Sequence, residues 1–250
     1  MSKVHVGTMG WSYNFWKGSF YPTGMKSSEL LREYSMHFDT VEVDNTFYRV
    51  PSIETLEKWK RQTPAGFLFS AKFPQNITHR KMLKDCEQDV QFFIERVSMF
   101  HDRLGPLLLQ LPPAFGSKQF DLLRDFLPLL PKNYRYAVEV RNEQLLGSDL
   151  FALLRENGVA LTIVVSSSMP EVEELTADFV YVRWEGDRKK VNGELGKVEI
   201  DKTNETKNWV RKIEGFLQNV GDVFGYFSKY YSGHPPTDVK QLRRFLELER

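Results

Sequence analysis

The sequence predicts an α/β protein that folds as one (β/α)8 TIM-like barrel, with residues 1–250 as a single domain. Short apolar runs alternate with amphipathic stretches, which is typical of parallel strands joined by helices. The alternation supplies eight strand candidates in 250 residues without an internal linker, as a closed barrel requires. An open Rossmann-like sheet is the alternative. Residues 7–10 do not support it, because their glycines lack the Gly-x-Gly-x-x-Gly spacing.

The predicted elements alternate along the chain. In order, the strands cover residues 4–10, 40–47, 67–73, 105–111, 134–141, 160–165, 179–185 and 222–229. The helices between and after them cover residues 27–37, 53–62, 85–104, 118–130, 149–157, 205–219 and 237–248. Ser52 is typical of a helix start and Gly158 of a helix end. Between the sixth and seventh strands the helix is short or missing, because only residues 170–175 could form a turn.

Composition and charge exclude several classes of function. Lys and Arg number 34 against 33 for Asp and Glu, so the net charge of +1 gives no general attraction to nucleic acid or acidic membranes. The single cysteine, Cys86, excludes an intrachain disulfide, and its acidic neighbours indicate a structural residue. No signal peptide or membrane-spanning run is visible. We therefore expect a cytoplasmic protein, with no metal and no cofactor.

Charged side chains are predicted to point into the barrel. Successive residues on a strand face opposite sides, and the valines and leucines are expected to face the helices. The side chains left pointing inward, near the carboxyl ends, are Glu42, Asp44, Lys72, Gln110, Glu139, Arg141, Tyr181, Arg183 and Glu185. Barrel active sites form at these ends. The pattern predicts a polar site there, although a salt-bridge network that closes the barrel mouth would use the same residues.

Several segments of the chain resemble the YecE-like family, also called domain of unknown function 72. They are residues 7–13, 16–22, 40–49, 69–72, 77–79, 104–113, 137–141 and 181–183, which read GTMGWSY, WKGSFYP, TVEVDNTFYR, FSAK, ITH, LGPLLLQLPP, AVEVR and YVR. The resemblance spans nearly the whole chain. It implies a TIM barrel, and it implies no established activity. Similar barrels occur in sugar isomerases and apurinic endonucleases, which is an analogy of fold.

The second half of the chain departs from the family pattern. Asn142 stands where a histidine is usual, and Val165 stands near a usual aspartate. Glu185 replaces the histidine of an Arg-Leu-His-Gly motif, and Lys229 replaces the last asparagine of a Phe-Asn-Asn motif. The resemblance therefore implies a shared fold more strongly than it implies a shared reaction.

The first functional hypothesis is an enzyme, of hydrolase or isomerase class by analogy of fold, that acts on a small anionic phosphate or carboxylate substrate. Arginine and lysine suit such anions, and carboxylates or a histidine can transfer protons. The predicted catalytic residues are Glu42, Glu139 and His79, although His79 could instead cap a helix. The predicted substrate-binding residues are Lys72, Arg141, Arg183, Asn45, Tyr48, Arg49, Gln110 and Trp11. His234 is a weaker histidine candidate after the eighth strand.

Two alternatives remain open. A nucleotide or RNA binding module would stack bases on the aromatic loop of residues 11–21 and hold phosphates with Arg49 and Lys72. The same aromatic residues could instead pack the loop. A metal-dependent phosphoester hydrolase would need converging carboxylates and histidines, whereas Glu42 and Glu139 have cationic neighbours that repel a metal ion.

Overall fold

The barrel of this computed structural model is formed by eight parallel strands within residues 3–248, which are the residues the structure describes. The strands are β1 (Lys3–Thr8), β2 (Thr40–Val43), β3 (Leu68–Lys72), β4 (Leu104–Gln110), β5 (Tyr136–Glu139), β6 (Ala160–Ser166), β7 (Phe179–Gly186) and β8 (Asp222–Phe227). Their order is β1-β8-β7-β6-β5-β4-β3-β2, and a bridge between Met9 and Glu42 nearly closes the ring. The predicted (β/α)8 fold is confirmed. The outer limits of the predicted domain, residues 1 and 250, lie outside the described part.

The helices cover the outside of the barrel. They are α1 (Leu30–His37), α2 (Ile53–Gln62), α3 (Glu87–Val97), α4 (Phe120–Phe126), α5 (Ser148–Asn157), α6 (Thr203–Leu217) and α7 (Pro235–Leu248). None of the helices within residues 3–248 has the length and apolar character needed to cross a bilayer.

No helix joins β6 to β7 in the described chain, as the sequence predicts. The connection is fixed to the barrel by the buried hydroxyl of Thr176. It accepts a hydrogen bond from the N–H of Leu161 at 2.7 Å and donates to the carbonyl of Val159 at 2.7 Å. One side chain therefore satisfies two backbone groups where a helix is missing.

Several predicted elements are longer than the observed ones, and the second strand and the third helix differ most clearly. The strand predicted at 40–47 ends at Val43, and Asp44–Phe47 form a 3-10 turn. The buried hydroxyl of Thr46 lies 2.7 Å from the carbonyl oxygens of both Val43 and Lys72, which holds the turn against β3. The helix predicted at 85–104 ends at Val97, because the following turn contains a left-handed residue, His101, with φ of 53°.

The barrel interior changes character along its axis. Below the strand ends it is filled by apolar and aromatic side chains, which include Leu108, Ala137, Phe179, Phe224 and Tyr226. The outward residues of the same strands, such as Val41 and Val138, pack with the helices. The alternation predicted from the sequence is therefore observed. It leaves the charged residues to form the uppermost layer of the interior.

The seam between β1 and β2 is held by a tyrosine. A Cβ at Gly7 would lie 2.2 Å from the carbonyl oxygen of Thr40, so only glycine permits this approach. Beside it, the N–H of Thr8 donates to the Tyr34 hydroxyl at 2.9 Å, and that hydroxyl donates to the carbonyl of Thr40 at 3.0 Å. Tyr34 is fully buried, so its phenol replaces ladder hydrogen bonds where the barrel closes.

Replacing Tyr34 with phenylalanine is expected to lower the free energy of unfolding by about 1–3 kcal/mol, because buried backbone groups of Thr8 and Thr40 lose their partner. Urea unfolding measures this change. Tyr48→Phe is a matched control, since Tyr48 is 74% exposed and its loss of a hydroxyl should change stability by less than about 0.5 kcal/mol. Equal midpoints for the two variants would show that the seam does not depend on the phenol.

Candidate functional site

A buried ionic network forms the top layer of the barrel interior, and Arg183 on β7 lies at its centre. Its Nε and Nη2 donate to Glu42 at 3.1 and 2.8 Å, and its Nη1 donates to both Glu139 and Glu185 at 2.7 Å. Nη2 also faces the sulfur of Met9 at 3.3 Å. The guanidinium is 2% exposed. All of its N–H donors therefore have protein partners. A salt-bridge network at the barrel mouth, the alternative to a ligand site in the sequence analysis, would show the same arrangement.

Glu42 and Glu139 share Arg183, yet their pKa values move in opposite directions. Complete burial, helped by the nearby charge of Asp44, raises the pKa of Glu42 to about 8 although Arg183 opposes the change. Burial also disfavours the charge of Glu139, but Arg183, Arg141 and Lys72 outweigh it and lower the pKa of Glu139 to about 2. One carboxyl therefore titrates near neutral pH while the other stays ionised.

Above the network lies a cavity of about 490 Å³ at the carboxyl ends of the strands. Its lining includes two carboxylates, Asp44 and Glu185, and five cationic side chains, which are Lys72, Arg141, Arg183, Arg188 and Lys229. The lining therefore carries a formal charge of +3, with five positive and two negative groups. Glu139, which stays ionised beneath the floor, reduces this sum to +2, and Glu42 would reduce it to +1 only where it is also ionised. The cavity favours an anion over a cation.

Besides the exposed Arg188, two cations on the lining keep donors that no acceptor among the described residues occupies. Arg141 donates through Nε to Glu139 and through Nη2 to Glu185 at 2.7 Å, and its Nη1 has no acceptor among residues 3–248. The ammonium of Lys72 forms no ion pair with any described carboxylate and lies 4.3 Å from the centre of the Phe47 ring. Both side chains belong to the lining of the cavity that a ligand would fill.

His79 lies on the same lining, in the π-helical turn Asn76–Arg80 after β3. Its Nδ1 is 2.8 Å from the hydroxyl of Thr78, and its ring meets Phe47 edge-on at 4.9 Å. Burial, followed by the charges of Lys72 and Arg141, lowers the pKa of His79. Its imidazole is therefore neutral at neutral pH and able to accept a proton.

The loop that follows His79 is strained. Met82, Leu83 and Asp85 have φ values of 51°, 68° and 47°, a region that side chains other than glycine rarely occupy. Such strain often accompanies functional loops.

His234, the weaker histidine candidate, does not belong to the cavity lining. It is 5% exposed, and its Nδ1 lies 2.7 Å from the hydroxyl of Thr237.

The structure divides the predicted site residues into two groups. Those on the cavity lining are Lys72, Arg141, Arg183, His79, Tyr48 and Gln110, and those away from it are Glu42, Glu139, Trp11, Asn45 and Arg49. Glu42 and Glu139 lie fully buried below the floor. Trp11 packs edge-on against Trp59 at 5.0 Å. The catalytic and binding roles assigned from the sequence stay predictions.

Several lining residues were not in the predicted set, among them Met9, Tyr13, Phe47, Arg188 and Tyr230. They follow β1, β2, β7 and β8 at the carboxyl ends, and that position was the available signal. Tyr13 shows why they were difficult to choose. Its side chain belongs to the lining, and the loop is folded so that the Tyr13 hydroxyl donates to the carbonyl of Met9 at 2.8 Å.

The residues that depart from the family pattern lie in different parts of the structure. Glu185 belongs to the buried network, and Lys229 lies on the lining. Asn142 instead organises a turn, because its Oδ1 accepts the N–H of Gln144 at 3.1 Å. Val165 is half-buried at the end of β6.

No cluster of metal ligands is present among residues 3–248. No set of three His, Cys, Asp or Glu side chains in this part of the chain converges in the manner of a metal site.

The fold and the site together define a (β/α)8-barrel protein with a buried ionic network beneath a cationic cavity. The chain belongs to the family described as "Protein of unknown function DUF72", whose model matches residues 5–250. The family resemblance noted in the sequence is thereby confirmed.

Named relatives agree with this assignment. The chain is 37% identical to the UPF0759 protein YecE of Escherichia coli over 141 residues, which are 56% of this chain and 49% of YecE. The matched stretch thus spans about half the length of that relative. The UPF0759 protein YunF of Bacillus subtilis is 25% identical over 273 residues, with 98% of this chain and 95% of YunF covered.

Solved structures support the same fold. A DUF72 family protein from Thermotoga maritima superposes with a TM-score of 0.84 at 26% identity, and the match covers 98% of this chain and 99% of that one. A methyltransferase from Methanosarcina mazei has a TM-score of 0.53 at 10% identity, over 99% and 94% of the two chains. The second likeness shows a shared barrel alone.

Proposed function

We propose that the cavity binds a small anionic ligand, a phosphate or carboxylate compound, and that the protein is an enzyme that acts on it by acid/base chemistry. The observation that carries the proposal is the pair of free cationic donors, Lys72 and Nη1 of Arg141, on one lining. A half-buried ammonium without a counterion is costly. An anion held between the two groups would offset that cost through charge-assisted hydrogen bonds.

The buried network prepares this site for binding. Glu139 and Glu185 accept hydrogen bonds from Arg141, and both also accept from Arg183, so the Arg141 guanidinium is held before a ligand arrives. Fixed donors of this kind need little reorganisation when charge develops on a substrate. In the proposal, Glu139 therefore acts by positioning cations rather than by touching the ligand.

His79 is the proton carrier in the proposed reaction. It lies on the lining with the two free cations, and its lowered pKa keeps the imidazole neutral when the enzyme meets its substrate. A neutral imidazole can remove a proton and return it within one turnover. Glu42 contributes differently, because its protonation adjusts the charge beneath the floor.

The nucleic-acid alternative has less support from the packing. Among the loop aromatics that would stack bases, Trp16 and Tyr21 are 0% and 1% exposed. They pack against each other at 6.0 Å, and the Tyr21 hydroxyl donates to the carbonyl of Trp11 at 2.6 Å. Side chains used in this way have no free face for a base.

Calorimetric titration with sulfate tests the anion site, since sulfate keeps its charge across the working pH range. We expect saturable binding that weakens as salt is added, because the attraction is electrostatic. Arg124→Gln is a matched control that removes a guanidinium 55% exposed on α4 and should bind sulfate as the parent does. Absence of saturable sulfate binding to the parent protein at low salt would contradict the proposal.

The sulfate affinity is also expected to rise as pH falls through about 8. Glu42, whose pKa is raised to about 8, takes up a proton in this range, so a negative charge beneath the floor is lost. Lys72, whose pKa is lowered by burial and then by Arg183, gains charge in the same direction. Glu42→Gln should remove the Glu42 part of the pH dependence while Lys72→Met retains it. If Glu42→Gln leaves the pH dependence of sulfate affinity unchanged, protonation of Glu42 does not affect the anion site.

A further inference from the structure

Lys72 differs from the other cations of the cavity lining in having no ion-pair partner. Arg141 and Arg188 contact Glu185 at 2.7 and 3.5 Å, and the ammonium of Lys229 contacts Glu194. Lys72 has no corresponding contact with a described carboxylate, and the Phe47 ring lies 4.3 Å from its nitrogen. Its ammonium therefore lacks the main interaction that keeps a lysine protonated.

The position of Lys72 is fixed although its amine is free. It is the last residue of β3, and the buried hydroxyl of Thr46 accepts its N–H at 3.0 Å and lies 2.7 Å from its carbonyl oxygen. The side chain extends from this anchored point to the lining that also holds His79, Asp44 and Arg141. An amine on a rigid strand end, beside groups able to transfer protons, has the arrangement of a nucleophile.

We propose that Lys72 is a covalent site that forms an imine with a small carbonyl compound bearing a carboxylate or phosphate group. The inference rests on the proposed anion site, because Arg141 would hold the anionic group while the carbonyl carbon meets the amine. It goes further by naming the bond that forms and the class of substrate.

The step balances without any oxidant or reductant. The neutral Nζ of Lys72 adds to the carbonyl carbon, the C=O π bond breaks as a C–N bond forms, and one proton passes from the nitrogen to the oxygen to give a carbinolamine. The hydroxyl group then leaves as water with one further proton while the nitrogen lone pair forms the C=N bond, and the nitrogen releases its second proton in return. His79 and Asp44 belong to the same lining and would carry these protons. The net change is amine plus carbonyl to imine plus water.

The physical state of Lys72 supports this role. Burial, followed by the charge of Arg183, lowers the pKa of its ammonium below the ordinary 10.5. Each unit of lowering increases the reactive neutral fraction at neutral pH by about tenfold. Lys229 is a natural comparator, since it lies on the same lining but is paired with Glu194.

Reductive trapping tests the imine. The protein is incubated with glyoxylate and cyanoborohydride at neutral pH, and the modified lysines are identified by peptide mass spectrometry. We expect Lys72 to be modified faster than Lys229, by about tenfold for each unit by which the pKa of Lys72 is lowered. Equal or slower modification of Lys72 would overturn the proposal.

Two variants separate reactivity from folding. Lys72→Arg keeps the positive charge but has no amine for imine formation, so the fast modification should vanish while the far-ultraviolet circular dichroism is unchanged. Lys132→Arg, at an exposed position away from the cavity lining, should keep the fast modification at Lys72. Fast modification that persists in Lys72→Arg would assign it to another lysine and overturn the proposal.

Sulfate competition, together with a neutral aldehyde as a second probe, distinguishes this inference from the anion site on which it rests. Sulfate binding with no preferential trapping at Lys72 would overturn the imine and leave the anion site intact. Preferential trapping of propionaldehyde, with no sulfate binding and no protection by sulfate, would retain the reactive lysine and overturn the anion site. Trapping of glyoxylate that sulfate suppresses supports both.

Discussion

Replacing Arg183 with methionine is expected to lower the free energy of unfolding by about 3–5 kcal/mol, the range found when one partner of a buried ion pair is removed. Arg183 contacts the carboxylates of Glu42, Glu139 and Glu185, and each of these is at most 4% exposed. Methionine fills part of the space but returns no positive charge. The carboxylates would then be buried with their main counterion missing. Urea unfolding at neutral pH measures the loss.

The loss from Arg183→Met is expected to be larger at neutral pH than in mild acid. Without the guanidinium, Glu139 loses its main counterion and is expected to hold a proton in the folded state to a higher pH than in the unfolded state, as Glu42 already does in the parent protein. Raised folded-state pKa values make stability fall as pH increases through the interval between the unfolded and folded pKa. The difference between parent and variant should therefore shrink when unfolding is repeated at about pH 5.

Two further variants check the cause. Arg124→Met removes an arginine whose ion pair with Asp121, at 2.8 Å, is exposed, and it should cost less than about 0.5 kcal/mol. Adding Glu42→Gln to Arg183→Met should recover part of the lost stability, because folding then no longer has to bury Glu42 or bind a proton to neutralise it. If Arg183→Met lowers the free energy of unfolding no more than Arg124→Met does, the network does not behave as a buried ionic cluster.

Replacing Lys72 with methionine is expected to weaken sulfate binding by about 10- to 100-fold, as the loss of a charged hydrogen bond worth about 1.5–3 kcal/mol implies. The free energy of unfolding should stay constant or increase. Lys72 has no carboxylate partner among residues 3–248, so its removal leaves no buried charge unpaired, and it relieves the cost of burying an ammonium. Calorimetry with sulfate and urea unfolding measure the two effects.

Lys229→Met provides the matched comparison, since Lys229 contacts Glu194 and also lies beside Phe15 and Tyr230. We expect a smaller loss of sulfate affinity than for Lys72→Met. A Lys72→Met variant that is destabilised but binds sulfate normally would make Lys72 a structural residue. Opposite effects on binding and stability are what a site residue is expected to show.

The direction of the charged side chains was predictable from the sequence. Side chains alternate along a strand, and valines around Glu42 and Glu139 place the carboxylates on the opposite face from the helices. The structure confirms that Glu42, Glu139 and Arg183 meet inside the barrel. The partners themselves were not predictable. Arg183 on β7 contacts Glu42 on β2, 141 positions earlier in the chain, and only the closed ring brings them together.

The depth of each side chain within the barrel was a second feature that could not be predicted from the sequence. Glu42 and Lys72 have the same inward parity, yet Glu42 is sealed beneath the floor while Lys72 lies on the lining. Asn45 and Arg49 were predicted to bind substrate, and the second strand was predicted to continue to residue 47. The chain instead turns at Asp44, where hydrogen bonds from Thr46 replace the ladder, and both residues become exposed.

The sequence by itself therefore determined the barrel, the missing helix between β6 and β7, and the inward set of charges, because periodicity and strand count are local properties of the chain. Only the tertiary structure decided which charges neutralise one another and which keep free donors. That outcome depends on separations of a few ångströms between strands that are distant in sequence. It assigns Glu42, Glu139 and Arg183 to the buried network and leaves Lys72 and Arg141 facing the cavity.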